Sequence, residues 1–374
     1  MNENTGIYIH IPFCVKKCNY CDFVSGPYPE KVQNEYINRL IKEIKEDEFI
    51  RGKTADTIFF GGGTPSIINP SQIGRIIETI SDVCQISGIA EISLESNPGT
   101  LTNEKLSVYK SFGINRLSMG LQSTNDEELK ILGRIHKFND FLKNYEAARN
   151  IGFDNINIDL MCAIPNQNFD SFAKGLEMVK GLEPEHVSVY SLIVEEGTPF
   201  YEAKLNLCDE SEERKMIHAI PDILGKEYHQ YEISNYSLKG YECKHNLKYW
   251  RRNTYVGFGV AAASLKGFDD LPDHRYKNTE NVKEYIESVD IPKTEVEILD
   301  LNDMMSEYMI LGLRLNEGIS DASFKKMFGI SIFDKYNFEI SKHIDDGLLV
   351  RKGDLIYLNE RGRDLSNFVM KDFI

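Results

Sequence analysis

Ile7-Tyr8-Ile9-His10-Ile11-Pro12-Phe13-Cys14-Val15-Lys16-Lys17-Cys18-Asn19-Tyr20-Cys21 is the stretch that decides how the chain is read. Its first part alternates branched and aromatic residues up to Pro12, which is the composition of a buried parallel strand. Its second part places three cysteines within eight residues directly behind that strand. Three thiolates on so short a loop can converge on one inorganic centre without a long loop closure. A cubane of four irons needs four outer ligands, so three cysteines leave one iron for substrate, solvent or a distant residue. The competing reading is a zinc knuckle completed by a histidine such as His10, because zinc favours a closed tetrahedron of sulfur and nitrogen.

Working outward, similar apolar runs return at 57–60, 91–95, 115–119, 155–160 and 187–192. Amphipathic stretches lie between them; Tyr36, Ile37, Leu40, Ile41 and Ile44 recur at helical spacing, with Glu and Lys opposite. Six β-α units predict an α/β fold with a parallel sheet, arranged as a partial (β/α)6 barrel over residues 1–208. In such barrels functional residues cluster where strands end. The cysteines occupy that position after the first strand, Gly61-Gly62-Gly63-Thr64-Pro65 after the second and Glu95-Ser96-Asn97-Pro98 at the third, with Gln122 and Asp159 following. The glycine run by itself is equally readable as a tight turn.

After about residue 208 the alternation weakens. Residues 209–290 are expected to form an extension beside the barrel, with one strand-like segment at 228–236. Residues 291–374 are expected to form a small, mostly helical C-terminal domain, with helices at 319–328 and 332–345 and a hairpin around Gly353. That order suggests a winged-helix shape.

Composition narrows the function. Hydrophobic residues make up 41% and charged residues 27% of the 374, as in ordinary globular proteins. A formal net charge of -15 opposes phosphate-backbone binding, so nucleic acid is not an expected partner, winged helix included. Seven cysteines, with Cys84, Cys162, Cys208 and Cys243 scattered singly, do not make a disulfide framework. No apolar run approaches the ~20 residues that span a bilayer, and a cytoplasmic location is expected.

With Tyr20 before the last cysteine, the string from Tyr8 to Cys21 resembles the signature of the radical S-adenosylmethionine (SAM) superfamily. The likeness extends over nearly the whole chain. Gly61 to Pro65, Arg116 to Ser123, Leu132-Gly133-Arg134-Ile135-His136 and Ile158-Asp159-Leu160 resemble the branch containing oxygen-independent coproporphyrinogen III dehydrogenase. The resemblance implies a [4Fe-4S] cluster on Cys14, Cys18 and Cys21, with the amino and carboxylate groups of SAM on the open iron and cleavage of the sulfonium to a 5′-deoxyadenosyl radical. It further implies SAM contacts from Tyr8, Tyr20, Gly62, Gly63, Thr64, Glu95, Gln122, Arg134 and Asp159. It assigns no catalytic residue.

Cys21-Asp22-Phe23 departs from the dehydrogenase branch, which carries a further cysteine where Phe23 stands, and is similar to the HemW-type heme chaperones. His245-Asn246-Leu247-Lys248-Tyr249-Trp250 is similar to their His-Asn-x-x-Tyr-Trp motif, associated with heme binding. A neutral imidazole can ligate heme iron, and Tyr249 and Trp250 offer flat apolar surface. Arg251 and Arg252 could pair with propionates. The implied function is a heme chaperone that delivers heme to recipient proteins such as membrane-associated respiratory enzymes, with a homodimer left open. The alternative is oxidative decarboxylation of porphyrinogen propionates. Met161-Cys162-Ala163-Ile164-Pro165 departs from the branch's usual Gly-Leu-Pro ending, so local contacts after Asp159 are less certain.

Overall fold

The computed structural model describes residues 4–268 and 271–374. Six parallel strands form its centre: β1 (Thr5–Ile11), β2 (Thr54–Gly62), β3 (Gln85–Ser96), β4 (Arg116–Gln122), β5 (Ile156–Cys162) and β6 (His186–Ser191), each hydrogen-bonded to the next. The crossovers are α1 (Glu30–Glu46), α2 (Pro70–Val83), α3 (Asn103–Ser111), α4 (Asp126–Ile131) with α5 (Phe138–Ile151), and α6 (Phe169–Lys180). Strand side chains alternate between the two faces of a sheet. Ile7, Ile9 and Ile11 therefore share one buried cluster with Tyr36, Ile37, Leu40 and Ile44 of α1. Gly6, Tyr8 and His10 point the other way, into the barrel.

The sheet does not close. Its order is β12-β11-β10-β9-β1-β2-β3-β4-β5-β6-β8-β7, so the partial (β/α)6 barrel continues past both edges. After α7 (Pro199–Glu202) and α8 (Glu210–Leu224), the segment 228–236 is two short strands rather than one: β7 (His229–Gln230) and β8 (Asn235–Ser237), with β8 antiparallel to β6. The reversal comes from buried Glu232, whose carboxylate accepts from the Ser234 N–H and the Asn235 side chain.

The expected extension beside the barrel is instead part of its sheet. α9 (Lys244–Trp250) leads into β9 (Tyr255–Phe258), which pairs in parallel with β1, and β10 (Ala263–Phe268) and β11 (Leu271–Asn278) follow antiparallel. Beyond α10 (Val282–Glu287), β12 (Lys293–Leu299) pairs with β11, so the sheet runs past the boundary expected at 291. Its outward residues are exposed, which hid the strand from an argument based on burial.

The C-terminal unit has its own buried cluster around Met309, Phe324 and Ile356. It comprises α11 (Leu301–Gly312), β13 (Ile319–Ser320), α12 (Asp321–Phe328), α13 (Ile332–Lys335), α14 (Asn337–Asp345), the hairpin β14 (Leu349–Lys352) and β15 (Leu355–Leu358), α15 (Glu360–Asp364) and α16 (Ser366–Met370). The helix expected at 319–328 starts as a strand, and that at 332–345 breaks at Tyr336. Among the described residues no helix is long and apolar enough to cross a membrane.

Candidate cofactor site

The cysteine loop is clamped from several sides. Phe13 bridges Gly26, and the Cys14 N–H donates to the Gly26 carbonyl at 2.9 Å. Asn19 accepts from the Phe200 N–H and donates to the Leu132 and Ile131 carbonyls. The β2 loop joins in: the Gly63 and Thr64 N–H groups donate to the Ile11 and Phe13 carbonyls at 2.9 and 2.8 Å. Gly62 has φ +108°, and a Cβ there would lie 2.6 Å from the His10 ring; a Cβ on Gly63 would lie 2.8 Å from the Phe13 carbonyl oxygen. In this structure both glycines thus serve close packing of the β2 loop against the cysteine loop.

Around the thiols, the Thr64 hydroxyl lies 3.4 Å from Cys14 Sγ and the Arg134 guanidinium 3.6 Å from Cys18 Sγ. Arg134 also donates to Asn97 Oδ1 at 2.7 Å and to the Gly120 carbonyl, and Asn97 donates to Thr64 at 2.7 Å. Tyr20 stands beside Arg134 and the cysteines, its hydroxyl held above its ordinary range by burial. Gln122 adopts φ +71°, and its amide lies with Asn97 and Arg134 over Gly120. Asn97 was not singled out from sequence, although it follows a strand end as the others do. All seven cysteines are free thiols, with Cys14, Cys18 and Cys21 partly exposed. His10 spends one ring nitrogen on Tyr8 at 3.1 Å and the other on the Val24 carbonyl at 3.0 Å, which removes it as the fourth ligand of a zinc knuckle. Three accessible thiols beside a buried guanidinium suit an anionic iron–sulfur cluster.

Inside the barrel two carboxyls face each other. Glu95 Oε2 accepts from the Gly62 N–H at 3.1 Å, and burial together with the neighbouring Asp159 pushes the Glu95 carboxyl up to about 8. Burial also raises Asp159, against the hydrogen bonds of Asn157 and Ser118 and the charge of Arg116. Burial raises the Tyr8 hydroxyl, with Glu95 adding to the effect. Two carboxyls held protonated by burial and mutual repulsion would ionise around a cation, so the interior suits a ligand with a sulfonium and an ammonium.

The His245 motif lies at the other end of the barrel. α9 enters between the early residues of the strands: the Glu91 carboxylate accepts from the Lys244 and His245 N–H groups at 3.1 and 3.2 Å, and Lys248 pairs with Asp56 at 2.7 Å. His245 is 1% exposed. Its Nδ1 is 2.8 Å from the Thr57 hydroxyl, its Nε2 2.8 Å from the Tyr249 hydroxyl, and its ring stacks on Phe59. Burial, with Lys248 nearby, lowers the imidazole to about 3. Asn246 and Tyr249 are half-buried, and Trp250 packs under the Arg314 guanidinium at 4.2 Å. Arg251 pairs with Glu317, and buried Arg252 with Asp273 and Glu307. As folded, the motif is a barrel floor: His245 has no free nitrogen for iron, and neither arginine is free for a propionate. The expectation that this string forms an open heme face does not fit the geometry.

Residues 8–179 match the radical SAM superfamily and residues 299–365 the HemN C-terminal domain. The chain is 35% identical to the heme chaperone HemW of Bacillus subtilis over 98% of both chains. It is 31% identical to the protein of that name from Escherichia coli, over 98% of this chain and 97% of that one. Its fold follows the solved coproporphyrinogen III oxidase (HemN) of Escherichia coli, with a TM-score of 0.86 and 24% identity over 100% of this chain and 91% of that one.

Proposed function

The chain belongs to the family of the heme chaperone HemW, built on a radical SAM domain, and from that premise we propose that it binds heme and delivers it to recipient proteins, holding a [4Fe-4S] cluster and SAM at the mouth of its barrel. The observation that carries this reading is the likeness to HemW proteins from end to end. Likeness to the oxidase at 24% identity speaks for the fold alone, and Phe23, 59% exposed behind the loop, stands where that branch has a further cysteine.

Cys14, Cys18 and Cys21 would hold the cluster. When bound, cluster and SAM together supply one-electron cleavage of a sulfonium. The chain's own part is binding and orientation. Arg134 offsets negative charge beside Cys18 and ties the loop to Asn97 and β4. Glu95 and Asp159 attract the cationic end of SAM, and Gly62 and Gly63 keep the β2 loop pressed on the cysteine loop. We place the protein in the cytoplasm and take membrane-associated respiratory enzymes as its recipients, with a homodimer as the form to test by size measurement.

The experiment is anaerobic reconstitution with iron and sulfide, electron paramagnetic resonance of the reduced protein, and hemin titration on the same sample. A cluster signal perturbed by SAM, together with saturable hemin uptake, is expected. Absence of hemin uptake would sink the chaperone reading, and rapid conversion of coproporphyrinogen III to protoporphyrinogen would replace it with the decarboxylase.

A further inference from the structure

With His245 closed to iron, the heme ligand has to come from elsewhere in the chain. His10 and His186 likewise spend both ring nitrogens, His186 on Asn157 and Tyr231. His136 and His343 are buried. His274 stands in mid-strand in β11, and His229 on the edge strand β7 beside Glu242. His218 differs. Its side chain is 41% exposed, and it lines a cleft of about 430 Å³ between α8, the end of β6, the β7–β8 turn and α15. That volume falls within the roughly 300–1,000 Å³ of small-molecule and cofactor sites.

We propose that this cleft is the heme site and that His218 is the axial ligand to the iron, an inference that rests on the heme-chaperone reading above. Asp364 of α15 lies 3.0 Å from His218 Nε2 through both carboxylate oxygens. A carboxylate on one ring nitrogen sets that nitrogen as the donor, leaves the Nδ1 lone pair for a metal and raises its basicity. Ile217, Ile220 and Ile233 give the cleft apolar walls, and Ile193 on its edge is 66% exposed, surface that a porphyrin face would cover. Arg363 also lines it. Its guanidinium reaches the Leu358 carbonyl at 3.3 Å and has no carboxylate partner among the described residues, which suits a propionate.

The position serves the function as well. Tyr190 lines the cleft, while the Asp159 charge inside the barrel acts on its hydroxyl, so the cleft adjoins the SAM-facing interior. Glu213 and Glu360 on the same rim oppose the propionate charge and limit affinity, as suits a cargo that must leave. A wider cleft of about 860 Å³ between β12 and α11 is a poorer fit. It has no histidine, cysteine or methionine, its Arg275 is held by Glu297 and Glu307, and its Tyr249 hydroxyl is engaged by His245.

Hemin titration of the full-length protein, followed in the Soret region, tests this in wild type, His218→Gln and His245→Gln. The glutamine at 218 keeps a hydrogen bond to Asp364 but is no comparable iron ligand. A shifted Soret band and at least about tenfold weaker binding are expected for His218→Gln, with added imidazole restoring the wild-type spectrum. His245→Gln should keep the wild-type spectrum and melt at lower temperature. An unchanged band and affinity in His218→Gln overturns the cleft assignment while the chaperone reading stands. No saturable uptake by wild type overturns the reading itself.

Discussion

The two ends of the barrel are built on opposite terms. At the mouth, thiols are partly exposed and two carboxyls face each other with burial set against their charge. At the floor, the groups that α9 brings are satisfied: Glu91 takes its N-terminal N–H groups, Thr57 and Tyr249 take both nitrogens of His245, and Asp56 takes Lys248. An end with unmet electrostatic demand is prepared for a ligand, whereas an end with its demand met is prepared to stay closed. A motif associated with heme binding therefore stands where the molecule has least to offer an incoming group.

The largest effect belongs to the mouth. Cys18→Ala should abolish the cluster, read as loss of the broad visible absorption and of the reduced-state resonance, while the denaturation midpoint of the metal-free protein changes little. A large loss of metal-free stability would break the contrast, because the mouth would then be structural too.

Next is the floor. Glu91→Ala leaves two buried N–H groups of α9 without an acceptor, and chemical denaturation should show a loss of about 2–4 kcal/mol. Because the lesion is remote from the thiols, cluster content per folded molecule should remain near the wild-type value.

Titration separates the ends by sign. The Glu95 carboxyl is raised to about 8, so the native state holds a proton there that the unfolded chain has released, and its contribution to stability is lost as pH rises from about 4.5 to 8. The His245 imidazole is lowered to about 3, so the unfolded chain binds the extra proton and stability is lost as pH falls below about 6.5. Each slope is at most about 1.4 kcal/mol per pH unit. Denaturation midpoints at pH 5 and pH 8 should show Glu95→Gln gaining on the ligand-free wild type at pH 8, and His245→Gln narrowing its deficit at pH 5. Parallel pH responses in the two variants would dissolve the distinction.

The smallest effect is expected at the exposed pair just beyond the floor. Arg251→Ala removes a contact to Glu317 at 2.9 Å between two exposed side chains and should cost under about 0.5 kcal/mol. A larger loss would mean that α9 is held partly from the C-terminal unit rather than from the barrel.

Much of the mouth was legible because its signals are local. Cys14, Cys18 and Cys21 sit in one loop, and Gly62, Glu95, Gln122 and Asp159 each end a strand that announces itself by composition. Glu91 was less visible, yet Glu91, Ser93 and Glu95 alternate on one face of β3 and mark a polar interior that the pattern could have revealed. Nothing local marks Asn97 as the link between Thr64 and Arg134, or His218 as the exposed histidine of a cleft. β12 was missed because its residues stay exposed, and Tyr336 breaks a helical run without glycine or proline to signal it.

By itself, then, the amino-acid order determined the β-α alternation, the three-cysteine loop and the strand-end polar residues. Each depends on periodicity or spacing within a few turns of chain. Tertiary structure alone decided what the His245 motif does. Its partners Thr57 and Glu91 lie 188 and 154 residues away, and a side chain that could ligate iron cannot do so while folding has already assigned both its nitrogens.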